Sequence, residues 1–235
     1  IALIPNKLDF TDAGVIPLSA LTALDALSGI ANLQSGQRVI INGCSGGVGT
    51  FAVQIAKALG AHVIGVCSSS NHALAHSLGA DEVLDYTTPE YLRDIKHIDL
   101  FFDAVGTQSL SKISHLLTSK GIYITTLPSA GKICANLFNN LFNKQKSRVV
   151  IVKPSSNSLN TINQFVTAGK LKPVIEKTFP LNDIKQAQQH GESGRTKGKI
   201  SIKIREQTPQ LESAATENCT SEQLSSPIDT QLKEP

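Results

Sequence analysis

Short apolar segments alternate along the chain with segments whose apolar residues recur every three or four positions. The apolar segments show little polar alternation, which is typical of strands buried on both faces. They lie at 38–41, 62–67, 82–84, 98–103, 121–126 and 148–152. Helical patterns separate them, at 50–60, 73–78, 109–118 and 158–168. This order predicts an α/β fold built on a Rossmann-type, doubly wound parallel sheet with right-handed crossovers.

The first strand leads directly into a glycine-rich turn, Asn-Gly-Cys-Ser-Gly-Gly-Val-Gly at 42–49, and then into a helix. In such a turn, glycines allow a tight reversal, let backbone amides approach a pyrophosphate, and let the helix pack closely on the strand. Gly46, Gly47 and Gly49 can fill these roles, and Gly43 completes the spacing G-x-x-G-x-x-G. Unpaired N–H groups and the helix dipole would then face the phosphates. The pattern predicts a dinucleotide site, with a purely structural turn as the alternative.

The loop after the second strand bears on the choice of dinucleotide. A carboxylate at this point selects NAD, because it binds the ribose hydroxyls and repels the 2′-phosphate of NADP. The sequence has Ser68, Ser69, Ser70 and Asn71 here, and the first acid afterwards is Asp81. Hydroxyl and amide groups can donate to a phosphate, which favours NADP. No Arg or Lys stands in the loop, so a serine loop without a phosphate role stays as the alternative.

Composition narrows the class of protein. No apolar run reaches the roughly 18 residues that a membrane span needs, so we expect no membrane span. The four cysteines, Cys44, Cys67, Cys134 and Cys219, have no C-x-x-C spacing, which favours a reduced, cytoplasmic setting. Cys44 is either a redox-sensitive thiol or a small residue that the turn tolerates. Because the chain starts at Ile1 and contains no methionine, we expect it to be a fragment.

Charge and composition change towards the carboxyl terminus. Residues 206–235 carry six acids against one lysine and are rich in Ser, Thr, Glu and Gln, which predicts a disordered tail. Residues 1–205 are correspondingly basic, with a net charge of +8, which suits an anionic cofactor. The sequence contains no cluster of Lys and Arg residues, so we do not expect nucleic acid as a partner. From Lys170 the strand and helix signals become short, at 173–180, 181–190 and 199–204, and predict a second substructure outside the βαβ series.

Several segments together resemble the medium-chain dehydrogenase/reductase superfamily, and most of all its zinc-independent quinone oxidoreductase branch. These segments are 18–27, 42–49, 77–86, 102–106, 169–175 and 194–199. The resemblance covers about residues 5–205 in order. It implies a GroES-like catalytic domain, most of which this chain lacks. The implied divisions are a remnant of that domain at 1–17, the NADP-binding domain at 18–169, its returning segment at 170–205, and the tail at 206–235.

The resemblance also implies cofactor contacts, position by position. Thr22 would face the nicotinamide, the turn would hold the pyrophosphate, and Arg195 would stand near a basic position of the relatives although Gly194 fits that position as well. The implied cofactor-binding residues are Thr22, Gly46, Gly47, Val48, Ser68, Asn71, Tyr86, Val105 and Arg195. Neither a catalytic residue nor a metal ligand is assigned in this chain.

The activity implied by the resemblance is hydride transfer from NADPH to a quinone or to an α,β-unsaturated carbonyl. Two alternatives stay open: a non-catalytic NADPH-binding module or truncated relative, and a fragment of a zinc-type alcohol dehydrogenase. Relatives in this family form homodimers through sheet edges, and 121–126 is the expected interface strand.

Overall fold

A computed structural model of the chain describes residues 1–6, 8–127 and 144–204; the tail expected to be disordered at 206–235 lies outside the described residues. The strands are β1 Arg38–Asn42, β2 His62–Cys67, β3 Glu82–Asp85, β4 Ile98–Asp103, β5 Leu117–Thr125, β6 Lys146–Val149, β7 Ile175–Pro180 and β8 Lys199–Lys203. The helices are α1 Phe10–Val15, α2 Pro17–Leu24, α3 Gly49–Ala58, α4 His72–Ser77, α5 Leu110–Ile113, α6 Ser156–Thr167 and α7 Ile184–Glu192. Helix α2 continues as a π-helical segment, Asp25–Ile30.

Six strands form one parallel sheet in the order β3-β2-β1-β4-β5-β6. The strand order reverses direction between β1 and β4, so the carboxyl ends of these two strands flank a crevice where open α/β sheets bind ligands. The sheet confirms the predicted Rossmann-type α/β fold.

The central strands are buried on both faces, as their unbroken apolar sequences predict. In β1, Ile40 packs in one hydrophobic cluster, whereas its neighbours Val39 and Ile41 pack in the other. All three side chains are 0% exposed. Since successive residues of a strand point to opposite faces, each apolar run supplies both layers of the core.

The predicted helix at 109–118 is too long. The helix α5 ends at Ile113, a 3₁₀ turn spans Ser114–Leu116, and β5 has already begun at Leu117. Leu117 pairs with Ile98 of β4, and it is buried. Pairing within the sheet therefore decides the conformation of a residue whose local pattern suits a helix.

The strand expected at 148–152 is displaced towards the amino terminus and ends at Val149. Its register with β5 begins at Lys146, which pairs with Ile122, and ends at Val149, which pairs with Thr125. Because β5 ends at Thr125, residues 150–152 have no partner strand among the described residues. The Val150 N–H still donates to the Thr125 carbonyl, just past the end of β6.

Strands β7 and β8 form a separate two-stranded parallel sheet, with α7 between them in the chain. The short elements expected after Lys170 thus lie outside the large sheet, as predicted, although β7, α7 and β8 form a βαβ unit of their own. Residues 1–203 pack together as one compact unit. The division into domains at 17 and 169 stays a prediction.

The expectation that residues 121–126 form an edge strand, free to pair with a second subunit, is wrong. Residues 121–125 belong to β5, which pairs with β4 on one side and β6 on the other. Its backbone groups are thus occupied on both sides. Among the described strands, β3 and β6 are the edges of the large sheet.

The helices are short. Within the part of the chain that the structure describes, none combines the length and the apolar character that crossing a bilayer requires.

Candidate nucleotide site

The glycine-rich turn lies at the carboxyl end of β1 and needs glycine at two positions for steric reasons. Gly43 has a φ of +80°, and a methyl group there would overlap Val105 Cγ2. A methyl group at Gly49 would overlap the Gly43 carbonyl oxygen and lie 2.8 Å from Cys44 Cα. Gly49 therefore lets α3 begin directly against the turn, which is the close packing expected of the last glycine.

The amino terminus of α3 faces the mouth of the turn. The residue that precedes it, Val48, makes no side-chain capping bond within the described residues. Thr50, in the first helical turn, has a buried hydroxyl without a hydrogen-bond partner in the same part of the chain. The first N–H groups of a helix lack internal acceptors, and its dipole favours negative charge. This end of α3 is thus suited to an anion.

Gly46 and Gly47 play unequal parts in the turn. The Gly46 N–H donates to the Gly43 carbonyl at 3.0 Å, and its carbonyl accepts from Thr50 at 3.0 Å, so Gly46 closes the turn itself. A methyl group at Gly46 would meet nothing nearer than the Gly43 oxygen at 3.4 Å. A methyl group at Gly47 would lie 3.0 Å from both Cε and Nζ of Lys199. The absence of a side chain at Gly47 therefore lets the Lys199 ammonium group approach the turn.

Lys199 is the functional candidate that sequence reasoning missed. It begins β8, about 150 positions beyond the turn, and its half-buried ammonium reaches Gly47. Within the described part of the chain it forms no ion pair, and burial lowers its pKa. An unpaired, partly desolvated cation beside a helix amino terminus adds to the attraction for a pyrophosphate. The sequence signal was the Gly-Lys pair at 198–199, which the resemblance included without a role.

Backbone contacts hold this lysine in place. The Gly198 N–H donates to the Ser45 carbonyl at 2.8 Å, and the Lys199 N–H donates to the Val174 carbonyl at 2.8 Å. Gly198 has a φ of +66°, and a methyl group there would overlap the Val174 carbonyl oxygen. Residues 198–199 are thus fixed to the turn on one side and to the segment before β7 on the other.

Ser68 and Asn71 lie beside the turn, at the carboxyl end of β2. The Asn71 side-chain amide donates to Ser45 Oγ at 3.3 Å and to Ser68 Oγ at 3.2 Å. Its carbonyl oxygen, Oδ1, is buried without a hydrogen-bond partner among the described residues. Ser68 Oγ is also 3.1 Å from Ser70 Oγ. The structure therefore joins the predicted ribose-phosphate loop to the glycine-rich turn.

Asp81 and Asp85 both follow the Ser68 loop in sequence, but only Asp85 lies next to that loop in the structure. Asp81 accepts from the Val63 N–H and pairs with Lys57 at 2.6 Å, so it belongs to the amino end of β2, away from the loop. Asp85, at the end of β3, accepts from the Ser69 N–H at 3.1 Å. The site thus contains a carboxylate that the sequence did not indicate, and its charge acts against a 2′-phosphate.

A buried carboxylate organises the other wall of the crevice. Asp103, the last residue of β4, is 0% exposed. It accepts from Asn42 Nδ2 at 2.8 Å, joining the ends of β1 and β4. It also accepts from the backbone N–H groups of residues 105, 106 and 108, at 3.2, 2.8 and 2.8 Å. This network shapes the loop that presents Val105 above Gly43.

A tyrosine completes that network. The Tyr123 hydroxyl lies 3.0 Å from Asp103 Oδ2 and 2.7 Å from the Gln108 carbonyl oxygen, and its one proton serves one of them at a time. Burial, with repulsion from the Asp103 charge, raises the pKa of Tyr123. The hydroxyl thus stays protonated and holds Asp103 in place.

The remaining predicted residues are placed as follows. Tyr86 is exposed and follows β3, with its N–H bonded to the Cys67 carbonyl at 3.4 Å, so it borders the Ser68 loop. Thr22 is buried in α2, and its hydroxyl donates to the Leu18 carbonyl at 2.7 Å. Arg195 is exposed in the loop before Gly198, and within the described residues its side chain pairs with no carboxylate. In this part of the chain, no hydrogen bond brings Thr22 or Arg195 to the turn.

These features fit a bound dinucleotide. Gly47 leaves room for Lys199 on one surface of the turn, and Asn71 Oδ1 and Thr50 Oγ1 are buried without hydrogen-bond partners among the described residues. The ammonium of Lys199 adjoins the same surface. Fold and site together define a Rossmann-type nucleotide-binding domain.

Comparison with known proteins supports the same fold and shows the family. The family model described as zinc-binding dehydrogenase matches residues 78–202. The chain is 34% identical over 226 residues to the mitochondrial NAD(P)H oxidoreductase RTN4IP1 of Mus musculus, covering 85% of this chain and 57% of that protein. It is 31% identical over 219 residues to the trans-enoyl reductase pgmF of Aspergillus terreus, covering 86% and 62%. The quinone oxidoreductase structure from Coxiella burnetii superimposes with a TM-score of 0.77 at 28% identity, covering 86% of this chain and 63% of that one.

The chain therefore belongs to the medium-chain dehydrogenase/reductase superfamily, in its quinone oxidoreductase-like branch. It spans about three fifths of the length of the relatives it matches.

Proposed function

We propose that this chain is the nucleotide-binding part of an NADPH-dependent oxidoreductase that reduces a quinone or an α,β-unsaturated carbonyl. One observation carries the proposal: the amino terminus of α3, two sterically required glycines and a half-buried lysine converge at the carboxyl end of β1. Relatives named as an NAD(P)H oxidoreductase, an enoyl reductase and a quinone oxidoreductase support the reaction class.

In this proposal, each part of the crevice has a separate task. The bound nicotinamide supplies the hydride. The amides after Gly46 and the Lys199 ammonium hold the pyrophosphate, while Ser68, Asn71 and Tyr86 bind the adenosine phosphate and ribose. The loop presenting Val105 forms the facing wall and excludes water. Thr22 at the nicotinamide end and Arg195 near the phosphates stay predictions from the family resemblance.

We also propose that the protein forms a homodimer. Strand β6 is one of two candidate edges, with β3, because within the described residues each of them pairs on one side alone. Light scattering of the wild type and of a variant with proline at Ser147, in the middle of β6, tests this edge. The cytoplasmic location expected from the sequence stays a prediction; a mitochondrial relative makes an organelle the alternative to test.

The direct test of function measures binding and turnover separately. We expect the chain to shift NADPH fluorescence, and a protein that includes the family's catalytic domain to oxidise NADPH with a quinone or an enone. Binding with neither acceptor reduced would favour the binding-module alternative, and no binding by folded protein would reject the proposal. Turnover of an alcohol that a metal chelator abolishes would favour the zinc-type alternative.

The Lys199 ammonium gives the first prediction. Replacing it with glutamine should weaken NADPH binding by about 10-fold or more, because a charge-assisted contact to the pyrophosphate is lost. Since burial lowers the pKa of Lys199, wild-type affinity should decline at alkaline pH, below the range in which an exposed lysine loses its proton. Fluorescence titrations across pH measure both effects.

Arginine at position 199 is the matched control, because a guanidinium keeps its charge throughout this range. Lys199→Arg should retain affinity and lose the alkaline decline, and Lys199→Gln should lose both. An alkaline decline that is identical in all three proteins would contradict the assigned role.

The Ser68 loop gives the second prediction, which tests NADP against NAD. Ser68→Asp adds a carboxylate where the 2′-phosphate is expected, so NADPH affinity should fall by about 10-fold or more while NADH affinity changes little. Ser77→Asp adds the same charge at the far end of α4 and should leave both affinities unchanged. Equal losses for NADPH and NADH in Ser68→Asp would place the 2′-phosphate elsewhere.

A further inference from the structure

Two buried cysteines lie side by side at the base of the glycine-rich turn. Cys44 belongs to the turn, and Cys67 is the last residue of β2. Both are free thiols, 0% and 2% exposed. The proposed hydride transfer uses neither of them.

The backbone brings the two residues within reach of a disulfide. The N–H groups of Gly43 and Cys44 both donate to the Val66 carbonyl, at 3.0 and 3.1 Å, so the turn runs alongside the end of β2. A methyl group at Gly65 would lie 2.9 Å from Cys44 Sγ, which places this sulfur over the face of β2 that Gly65 occupies. Cys67, two residues further along the strand, shares that face. The two thiols are hydrogen-bonded to each other, so their sulfur atoms are close enough to react together.

The two thiols differ in acidity. The hydrogen bond between them raises the pKa of Cys44, which burial also raises, and it lowers the pKa of Cys67. Cys67 therefore ionises first, with the Cys44 S–H group donating to its sulfur. Since the thiolate is the nucleophilic form, Cys67 is the residue that attacks an oxidant, and Cys44 is the residue that resolves the product.

We propose that a peroxide converts Cys44 and Cys67 into a disulfide, and that this disulfide weakens nucleotide binding at the turn. The Cys67 thiolate attacks one peroxide oxygen, the O–O bond breaks, and hydroxide leaves, giving a sulfenic acid at Cys67. The Cys44 sulfur then attacks the Cys67 sulfur, the S–O bond breaks, and water leaves. In total, two thiols lose two protons and two electrons, and hydrogen peroxide is reduced to two waters.

The turn transmits the change to the site. A methyl group at Gly49 would lie 2.8 Å from Cys44 Cα, so Cys44 and the start of α3 are in direct contact. Pulling Cys44 towards β2 shifts the amides that are proposed to hold the pyrophosphate. This part of the inference rests on the proposed function, whereas disulfide formation does not.

The experiment uses the 235-residue chain with Cys134 and Cys219 replaced by serine, so that no other thiol competes. Folded protein is treated with hydrogen peroxide, alkylated and digested. We expect mass spectrometry to find the peptides of Cys44 and Cys67 joined by a disulfide. Fluorescence titration should show NADPH affinity reduced by about tenfold, and dithiothreitol should restore it.

Single variants separate the two parts. Cys67→Ser and Cys44→Ala should each prevent both the linked peptide and the loss of affinity, with circular dichroism verifying that each remains folded. Thiols that stay unlinked, or go on to sulfinic acid without linking, would overturn the disulfide. A disulfide that leaves NADPH affinity unchanged would overturn its regulatory effect. If the reduced chain binds no nucleotide, the proposed function fails, yet mass spectrometry still decides the disulfide.

Discussion

Replacing Gly49 with alanine is expected to destabilise the chain by about 3 kcal/mol and to abolish nucleotide binding. The added methyl group overlaps the Gly43 carbonyl oxygen and presses on Cys44 Cα. Both obstacles are backbone atoms, so neither can rotate away as a flexible side chain would. The turn must open and α3 must shift, which disperses the amides meant for the pyrophosphate. Urea unfolding measures the stability, and NADPH fluorescence measures the binding.

Two other glycines serve as controls for this experiment. A methyl group at Gly46 meets its nearest atom at 3.4 Å, and one at Gly29 meets nothing within 4 Å. Gly46→Ala should therefore stay folded within about 1 kcal/mol of the wild type, and Gly29→Ala should leave both stability and binding intact. A Gly49→Ala variant as stable as these two would show that the turn relaxes more easily than its contacts indicate.

Replacing Asp103 with alanine should have the second large effect, a loss of about 3 kcal/mol or more of unfolding free energy. The substitution removes the acceptor for three backbone N–H groups and for Asn42 Nδ2, in a place that water does not reach. The loop that carries Val105 then loses its anchor, so nucleotide affinity should fall as well. Urea unfolding and NADPH titration of the same preparation measure both.

The comparison with Asp99, on the same strand, separates stability from positioning. Asp99 accepts from the Arg38 N–H at 2.9 Å. This bond lies at the amino-terminal ends of β1 and β4, whereas the glycine-rich turn follows the carboxyl end of β1. Asp99→Ala should lower stability and leave nucleotide affinity unchanged. Asp103→Asn, which retains one acceptor oxygen, should remain folded well enough for titration and still bind more weakly. Wild-type affinity in folded Asp103→Asn would restrict Asp103 to a purely structural role.

Much of the large sheet could be predicted from local sequence. The bounds expected for His62–Cys67 and Ile98–Asp103 agree with β2 and β4. Strands that are buried on both faces must be apolar throughout, and turns must be polar or glycine-rich, so neighbouring residues indicate each boundary. The prediction at 109–118 failed where pairing with β4, a distant contact, decided that Leu117 is a strand residue.

The candidate site divides in the same way. Glycine spacing between a strand and a helix indicated the turn, because the reason for each glycine lies within a few residues of it. Lys199 and Asp85 reach the site from β8 and β3, and neither has a local pattern that marks it. Such residues are found once the strands are placed in order.

By itself, then, the sequence determined the α/β class, most elements of the parallel sheet and the position of the glycine-rich turn, because these depend on the periodicity and steric needs of adjacent residues. Tertiary structure alone decided that β5 is internal, that Lys199 lies on Gly47, that Asp103 anchors the Val105 loop and that Cys44 adjoins Cys67. Each of these is a contact between segments far apart in the chain. Strand order and packing, which no single segment encodes, bring those segments together.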